Sequence, residues 1–301
     1  MKVFFGFKQL KKFRKPVVAL GVFDGVHRAH RRILEETVRQ AKRIQGTSVA
    51  VTFWPHPQRE NSICSLEHRL RLISGLGIGV CIVIRFNKAF SKILAEDFIK
   101  DILVNKIGAH YIFVGKNFRF GKGAAGDFRL LDRLSRVYNF KLKLFAVLKI
   151  DNLPISSSYI RRLIMQGELK TASRLLYRPV SILGTVIKGS FLARKLGFPT
   201  ANINPHHEVI PPSGIYAARI VLNKKKFFGI CYIGTNPTLK LQKSIHTEAH
   251  IFNFKQNIYG KDLEIQFIQK LRDEKRFAST FSLVQQVKKD ILQAKSILSL
   301  P

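Results

Sequence analysis

Two histidines three residues apart, His27 and His30, follow the run Gly21-Val22-Phe23-Asp24-Gly25-Val26 at the point where an apolar stretch gives way to a helical pattern. Residues at i and i+3 share a helix face, and the first turn of a helix carries backbone N–H groups without intrahelical partners. Such a site suits the phosphates of a nucleotide and can stabilise charge growing on a departing pyrophosphate. A bare H-x-x-H is equally compatible with metal ligands or with surface residues. The flanking glycines, Phe23 and Asp24 make phosphate handling the more specific reading.

A second stretch, residues 189–202, contains Gly189, Arg194, Lys195, Gly197, Thr200 and Asn202. Its backbone N–H groups and two cations can meet ATP phosphates, and Thr200 and Asn202 offer neutral oxygens to Mg²⁺, which takes oxygen ligands. The plain alternative is a basic loop between strands. Further on, Glu248 shares a strand face with His246 and His250, for which a structural role is expected. By pattern alone Glu248 is either a general base or an outward carboxylate in a salt bridge. The run Gly121-Lys122-Gly123-Ala124-Ala125-Gly126 matches G-x-G-x-x-G, but six residues separate it from the preceding strand and the region near Ala146 carries no acid. A dinucleotide fingerprint requires both features. The loop is expected instead to cover part of a nucleotide or other ligand site. No P-loop is present.

These residues need elements to hold them. Apolar runs at 17–22, 48–53, 80–84, 111–114 and 141–146 predict buried strands, and amphipathic stretches at 29–44, 66–76, 95–106 and 128–138 predict helices between them. That alternation predicts an α/β fold with a doubly wound parallel sheet, which binds ligands beyond the carboxyl ends of its strands. One further helical stretch is expected over 157–176. Beyond Arg178 the runs 181–187, 215–222, 226–233, 244–251 and 262–271 read as strands with few helices between, predicting an antiparallel β-barrel or sandwich closed by a helix at 281–298. The expected domains are 1–178 and 179–301.

Composition narrows the classes. The 52 Lys+Arg and 19 Asp+Glu give a net charge of +33. This invites a polyanion or small anionic ligands as partners but says nothing about fold. Three scattered cysteines, Cys64, Cys81 and Cys231, argue against a disulfide framework or a structural zinc site. The longest apolar run, 76–84, is too short to span a bilayer. A cytoplasmic protein with no membrane partner is expected.

The first-half motifs resemble the H-x-G-H nucleotidyltransferase superfamily and, more closely, the bacterial bifunctional riboflavin kinase/FMN adenylyltransferases. The likeness continues through Thr52-Phe53-Trp54-Pro55-His56-Pro57, Val114-Gly115-Lys116-Asn117-Phe118-Arg119-Phe120-Gly121 and Ser156-Ser157-Ser158-Tyr159-Ile160-Arg161. In the second half, Gly189 to Asn202 is similar to the flavokinase signature, followed by Gly234-Thr235-Asn236-Pro237-Thr238, Glu248-Ala249-His250, Tyr259-Gly260-Lys261 and the run from Leu271 to Phe277. Departures are Ala29 and Ala193 for glycine, Ser158 for threonine, and Trp54 where many relatives carry Asp.

The resemblance implies two ATP reactions, with Mg²⁺ and with flavins as substrate and product. The second domain would phosphorylate riboflavin, with Glu248 as base and Thr200 and Asn202 as metal ligands. The first would join FMN to AMP, with His27, His30 and Arg161 stabilising phosphate charge. Gly21, Phe23, Asp24, Gly25, Asn117, Phe118, Ser157 and Ser158 would line the adenylyltransferase site; Gly189, Arg194, Gly197 and Arg272 would line the kinase site. Ala29 is expected to slow adenylyl transfer rather than abolish it. Two alternatives stand: a kinase-only chain weakened by Ala29 and Trp54, and a basic RNA-binding or regulatory protein on the same fold. No RNA-module motif accompanies the charge, so no nucleic-acid partner is expected.

Overall fold

Six short runs rich in Val, Ile and Phe form a wholly parallel sheet in the computed structural model, which describes residues 1–58, 61–189, 193, 196–206, 209–235 and 245–299. The strands are β1 (Lys2–Phe5), β2 (Val17–Leu20), β3 (Ser48–Trp54), β4 (Val80–Arg85), β5 (Tyr111–Gly115) and β6 (Lys141–Phe145), in the order β1-β4-β3-β2-β5-β6. Burial on both faces explains why the central strands are apolar throughout instead of alternating. Val18 and Leu20 enter one core cluster and Val17 and Ala19 the other.

Helices cover both faces. α1 (Arg28–Arg43) and α2 (Leu66–Gly75) supply Ile33, Leu34 and Ile73 to one cluster. On the opposite face lie α3 (Ala95–Asp97), its π-helical continuation Phe98–Lys106, and α4 (Phe128–Val137), which supply Phe98, Leu103 and Leu131. From β2 the chain builds outward through β3 and β4, then crosses back to place β5 on the other side of β2. The strand order therefore reverses between β2 and β5. A crevice outside the carboxyl ends of two such strands is where open α/β sheets bind ligands. A two-stranded hairpin, β7 (Lys149–Ile150) and β8 (Leu153–Pro154), follows the sheet.

The expected single helix over 157–176 is two: α5 (Ser157–Met165) and α6 (Leu169–Leu176). Gly167, at φ +81°, turns the chain between them, a conformation glycine adopts at no steric cost.

The second half is a closed antiparallel barrel of β9 (Val180–Ile187), β10 (Ala201–Pro205), β11 (Gly214–Leu222), β12 (Lys225–Thr235), β13 (Ile245–Ile251) and β14 (Asp262–Arg272), ordered β10-β13-β12-β11-β14-β9. Leu263, Ile265 and Phe267 are buried and alternate with Glu264 and Gln266, the period of two that fills a small barrel from one face. The outward residues Ile215, Ala217 and Ile230 are covered by Ala294, Val287 and Ile291 of the closing helix α7 (Thr280–Ile297). Ser279 caps that helix by accepting from the Ser282 backbone N–H.

By compactness the chain divides into Met1–Ser62 with Leu66–Ser157, and Ile63–Ser65 with Ser158–Pro301. Among the described residues no helix is long and apolar enough to cross a membrane.

Candidate functional sites

In the first unit, β2 ends at the strand-order reversal and delivers the 21–30 turn there. The turn is tight: Phe23, Gly25 and Val26 have φ of +54°, +72° and +40°. A left-handed β-branched residue such as Val26 is a strained conformation of the kind found at functional sites. Gly21 is required because a Cβ there would lie 2.9 Å from the Phe23 ring. His27 caps α1, its Nδ1 accepting from the His30 backbone N–H at 3.3 Å. The two imidazoles stack with centroids 3.5 Å apart, and the Phe23 ring meets His30 edge-on at 5.4 Å.

This packing decides the charge on His30. Burial, then the His27 ring, then the Arg69 guanidinium hold its pKa well below the ordinary 6.5, while a hydrogen bond with the Asp24 backbone works in the other direction. His30 is thus held neutral at pH 7 and serves as a hydrogen-bond donor rather than a fixed cation. Ser157, at the start of α5, donates its hydroxyl to the Asp24 carbonyl at 3.0 Å. Asp24 itself is buried, its carboxylate 3.8 Å from Arg69.

On the other side of the reversal, β5 leads into Asn117, which is exposed, and Phe118, whose ring stacks on Phe120 at 5.7 Å. The glycine-rich loop that follows is closed by paired Phe120 and Gly126 backbones. A Cβ on Gly121 would lie 2.6 Å from the Ala95 Cα, and one on Gly126 would lie 2.6 Å from the Phe120 ring. Those glycines permit close packing against the start of α3.

In the second unit, a cavity of about 810 Å³ opens on the outer barrel face. That volume suits an organic ligand. Glu248 on β13 lies opposite Asn202 of β10 and Tyr232 of β12, so the three form a row across neighbouring strands. Thr200 donates its hydroxyl to Glu248 Oε2 at 2.9 Å. A Cβ on Gly189 would fall 2.0 Å from Asn202 Nδ2, so glycine makes room for that amide. Gly197 adopts φ +86° in the connecting turn. The Tyr232 hydroxyl hydrogen-bonds Glu274, and burial together with the Glu274 and Glu248 carboxylates drives its pKa upward. Apolar walls come from Phe198, Ile230, Phe277 and Val287.

The residues expected from sequence thus gather at two places. His27, His30, Gly21, Phe23, Asp24, Gly25 and Ser157 surround one turn; Gly189, Thr200, Asn202 and Glu248 surround the barrel cavity. Ser158 and Arg161, on α5, fall within the second compact unit. Arg194 lies outside the described residues. Arg272 lines the cavity, but its Nε and Nη2 are held by Asp290 of α7 at 2.7–3.1 Å and its Nη1 by the Asp273 carbonyl at 3.0 Å. His250, which lines the cavity and hydrogen-bonds the Pro199 carbonyl at 2.9 Å, braces the loop that carries Thr200. Two groups escaped the sequence reading: the buried Arg69, hidden in an amphipathic pattern, and Asp290, whose partner is remote in sequence.

A histidine pair at the reversal point of a parallel sheet, followed by a barrel with a carboxylate beside hydroxyl and amide oxygens, is the architecture of a two-module nucleotide-handling transferase. Residues 9–159 match the family described as FAD synthetase, and residues 176–298 the family described as riboflavin kinase. The chain belongs to the bifunctional riboflavin kinase/FMN adenylyltransferase family. A relative of that name from Buchnera aphidicola subsp. Schizaphis graminum is 35% identical over 100% of both chains, and one from Escherichia coli K12 is 32% identical over 94% of this chain and 93% of its own. A solved structure from Streptococcus pneumoniae, described as a macrolide-efflux protein, superposes with a TM-score of 0.84 at 25% identity, covering 96% of this chain and 97% of that one.

Proposed function

We propose that the chain makes FAD in two ATP-dependent steps: riboflavin to FMN at the barrel, and FMN to FAD at the parallel-sheet unit. The observation that carries the reading is full-length similarity to relatives named for both activities, and the two sites described above supply a residue set for each.

In the first step the ribityl 5′-hydroxyl attacks the γ-phosphorus of ATP, its proton passes to Glu248, and ADP leaves. Phosphoryl transfer needs positioning and one base to orient the nucleophile, and the Thr200 hydrogen bond fixes the Glu248 carboxylate for that task. The Thr200 hydroxyl, the Asn202 amide oxygen and the nearby carboxylate are hard oxygen donors of the kind Mg²⁺ takes. When bound with ATP, that ion neutralises phosphate charge. Gly189 supports this assignment by leaving the space that the Asn202 amide occupies.

In the second step an FMN phosphate oxygen attacks the α-phosphorus of ATP and pyrophosphate departs. His27 and His30 lie at the start of α1, where backbone N–H groups and the His27 imidazole N–H can receive developing negative charge, with the neutral His30 ring stacked against His27 and held by the Asp24 backbone. Phe118 offers a ring face to the flavin or the adenine. Arg161 is kept as a phosphate-binding residue on its motif alone. Ala29 lies within regular helix, so it requires no left-handed backbone, which supports retained adenylyl transfer. Three buried free thiols are in keeping with a reducing compartment, the cytoplasm.

The test is incubation with riboflavin, ATP and Mg²⁺ followed by chromatographic separation of the flavins. FMN followed by FAD is the expected result. FMN alone would leave the barrel activity standing and remove the adenylyltransferase; neither product would overturn the reading.

A further inference from the structure

Arg69 is completely buried at 0% exposure, and it lies on α2 with its guanidinium beneath the 21–30 turn. Its Nη1 reaches the Val22 carbonyl at 2.9 Å, the Phe53 carbonyl at 3.1 Å and the Thr52 hydroxyl at 3.3 Å. Thr52 donates its own hydroxyl to the same Val22 carbonyl at 2.7 Å. Nη2 lies 3.8 Å from the Asp24 carboxylate, and the guanidinium carbon sits 5.5 Å from the Trp54 ring centroid. One cation therefore fastens the end of β3 to the residue that opens the turn and to the acid at its centre.

The acid connects onward. The Asp24 backbone takes the Ser157 hydroxyl and a hydrogen bond with His30, and Phe23 beside it packs edge-on against the His30 ring. A displacement of Val22 or Asp24 is thereby passed to both imidazoles, because His27 and His30 are stacked. Burying a guanidinium is costly unless its donors are satisfied and an opposite charge is near. A packing role alone would be filled at lower cost by an apolar side chain of similar length.

We propose that Arg69 is a positioning residue for adenylyl transfer: its guanidinium ties the 21–30 turn to the end of β3 and thereby sets the two histidines against the nucleotide phosphates. Arg69 touches no substrate in this role. The proposal rests on the adenylyltransferase reading of the first unit, and its test separates the two.

FAD formation from FMN and ATP is measured in the full chain and in Arg69→Met and Arg69→Lys, with riboflavin phosphorylation by each sample as the internal control. His30 is followed by imidazole NMR titration, assigned by difference from His30→Gln. The groups facing His30 are His27, Asp24, Phe23 and Arg69. Misplacing reacting groups by fractions of an ångström lowers kcat more than it raises KM, so Arg69→Met should lose about tenfold or more in kcat for FAD with KM for ATP within about threefold. Its His30 titration should move upward, since a neighbouring cation is gone. Nη1 makes the three hydrogen bonds given above, and a lysine ammonium brings both donors and a positive charge to that place, so Arg69→Lys should recover kcat to within about threefold and restore the low titration. Unchanged kcat in Arg69→Met, or equal losses in both variants with His30 unmoved, overturns the proposal. If Arg69→Met does not fold, Arg69→Lys decides, and a tenfold loss there overturns it. An unaltered chain that makes FMN but no FAD defeats the underlying reading, whereas a failure of Arg69 alone leaves FAD synthesis intact.

Discussion

Replacing Asp290 by Asn tests how the closing helix is held. Asp290 is buried on α7 and grips Arg272 of β14 in a two-pronged contact, Nε at 3.0 and 3.1 Å and Nη2 at 2.7 Å, while Gln286 donates to it at 2.8 Å. The Arg272 and Asp290 side chains are 13% and 2% exposed, so solvent screens the pair little. Breaking a buried pair by neutralising one partner costs ~3–5 kcal/mol. Arg272 keeps the Asp273 carbonyl and the Phe277 ring, which points to the lower end. At ~2–4 °C per kcal/mol for a domain of this size, a loss of ~3 kcal/mol lowers the melting temperature by roughly 6–12 °C. Calorimetry of the full chain reads the shift. In activity, KM for riboflavin should rise, because Val284 and Val287 of the same helix line the cavity, while FAD formation from supplied FMN stays unchanged. The double replacement Arg272→Met with Asp290→Leu should recover most of the stability, since a packed apolar pair removes the stranded charge. A shift below about 2 °C in Asp290→Asn, or a double variant as unstable as the sum of its singles, would refute the reasoning. A rise in KM for ATP in Arg272→Met would instead return Arg272 to the nucleotide.

Other perturbations are equally direct. In Gly189→Ala the new methyl would fall 2.0 Å from Asn202 Nδ2, so the amide must swing away, and FMN formation should need more Mg²⁺ while adenylyl transfer is unaffected; a Mg²⁺ titration of both activities checks it. Gly126→Ala would put a Cβ 2.6 Å from the Phe120 ring and 2.8 Å from the Ala95 Cβ, an overpacking worth ~1–3 kcal/mol that calorimetry should detect. For His30 the folded pKa is depressed, so below the ordinary 6.5 the unfolded chain takes up a proton that the folded one refuses. Its contribution to stability is full above about 6.5 and declines as pH falls beneath it; denaturant melts between pH 5 and pH 8 should show a shallower acid slope in His30→Gln.

Much of this was legible in the sequence. The apolar runs gave both sheets because period and β-branching are local properties: the expected strand 262–271 is β14 within one residue, and the expected helix 128–138 is α4. The edge strand β1 was missed because its apolar part is a run of only three residues, Val3 to Phe5, the shortness by which edge strands are kept from pairing further. Strand β10 does alternate, Ala201 and Ile203 with Asn202 and Asn204, but it is only five residues long and its start coincides with the end of the 189–202 phosphate motif. The helix break at Gly167 is a left-handed turn, and an isolated glycine does not announce which hand it takes. The candidate site residues stand in local motifs. Their supports, Arg69 beneath Asp24 and Asp290 beside Arg272, depend on contacts between residues 45 and 18 positions apart, which no local pattern encodes.

The row formed by Asn202, Glu248 and Tyr232 has a consequence for how such a chain can change length. Side chains alternate along a strand, so a slip of one residue in β13 would turn Glu248 inward and bring the buried Thr247 out. Because the barrel is closed, β13 is laddered to β10 on one side and β12 on the other. Each ladder independently checks the parity of the other, much as a doubled entry exposes a copying error. An insertion within β13 would have to defeat both at once, so growth and shrinkage are confined to the connections between strands. The row behaves as a ruler, and changes of length are expected only beyond its ends.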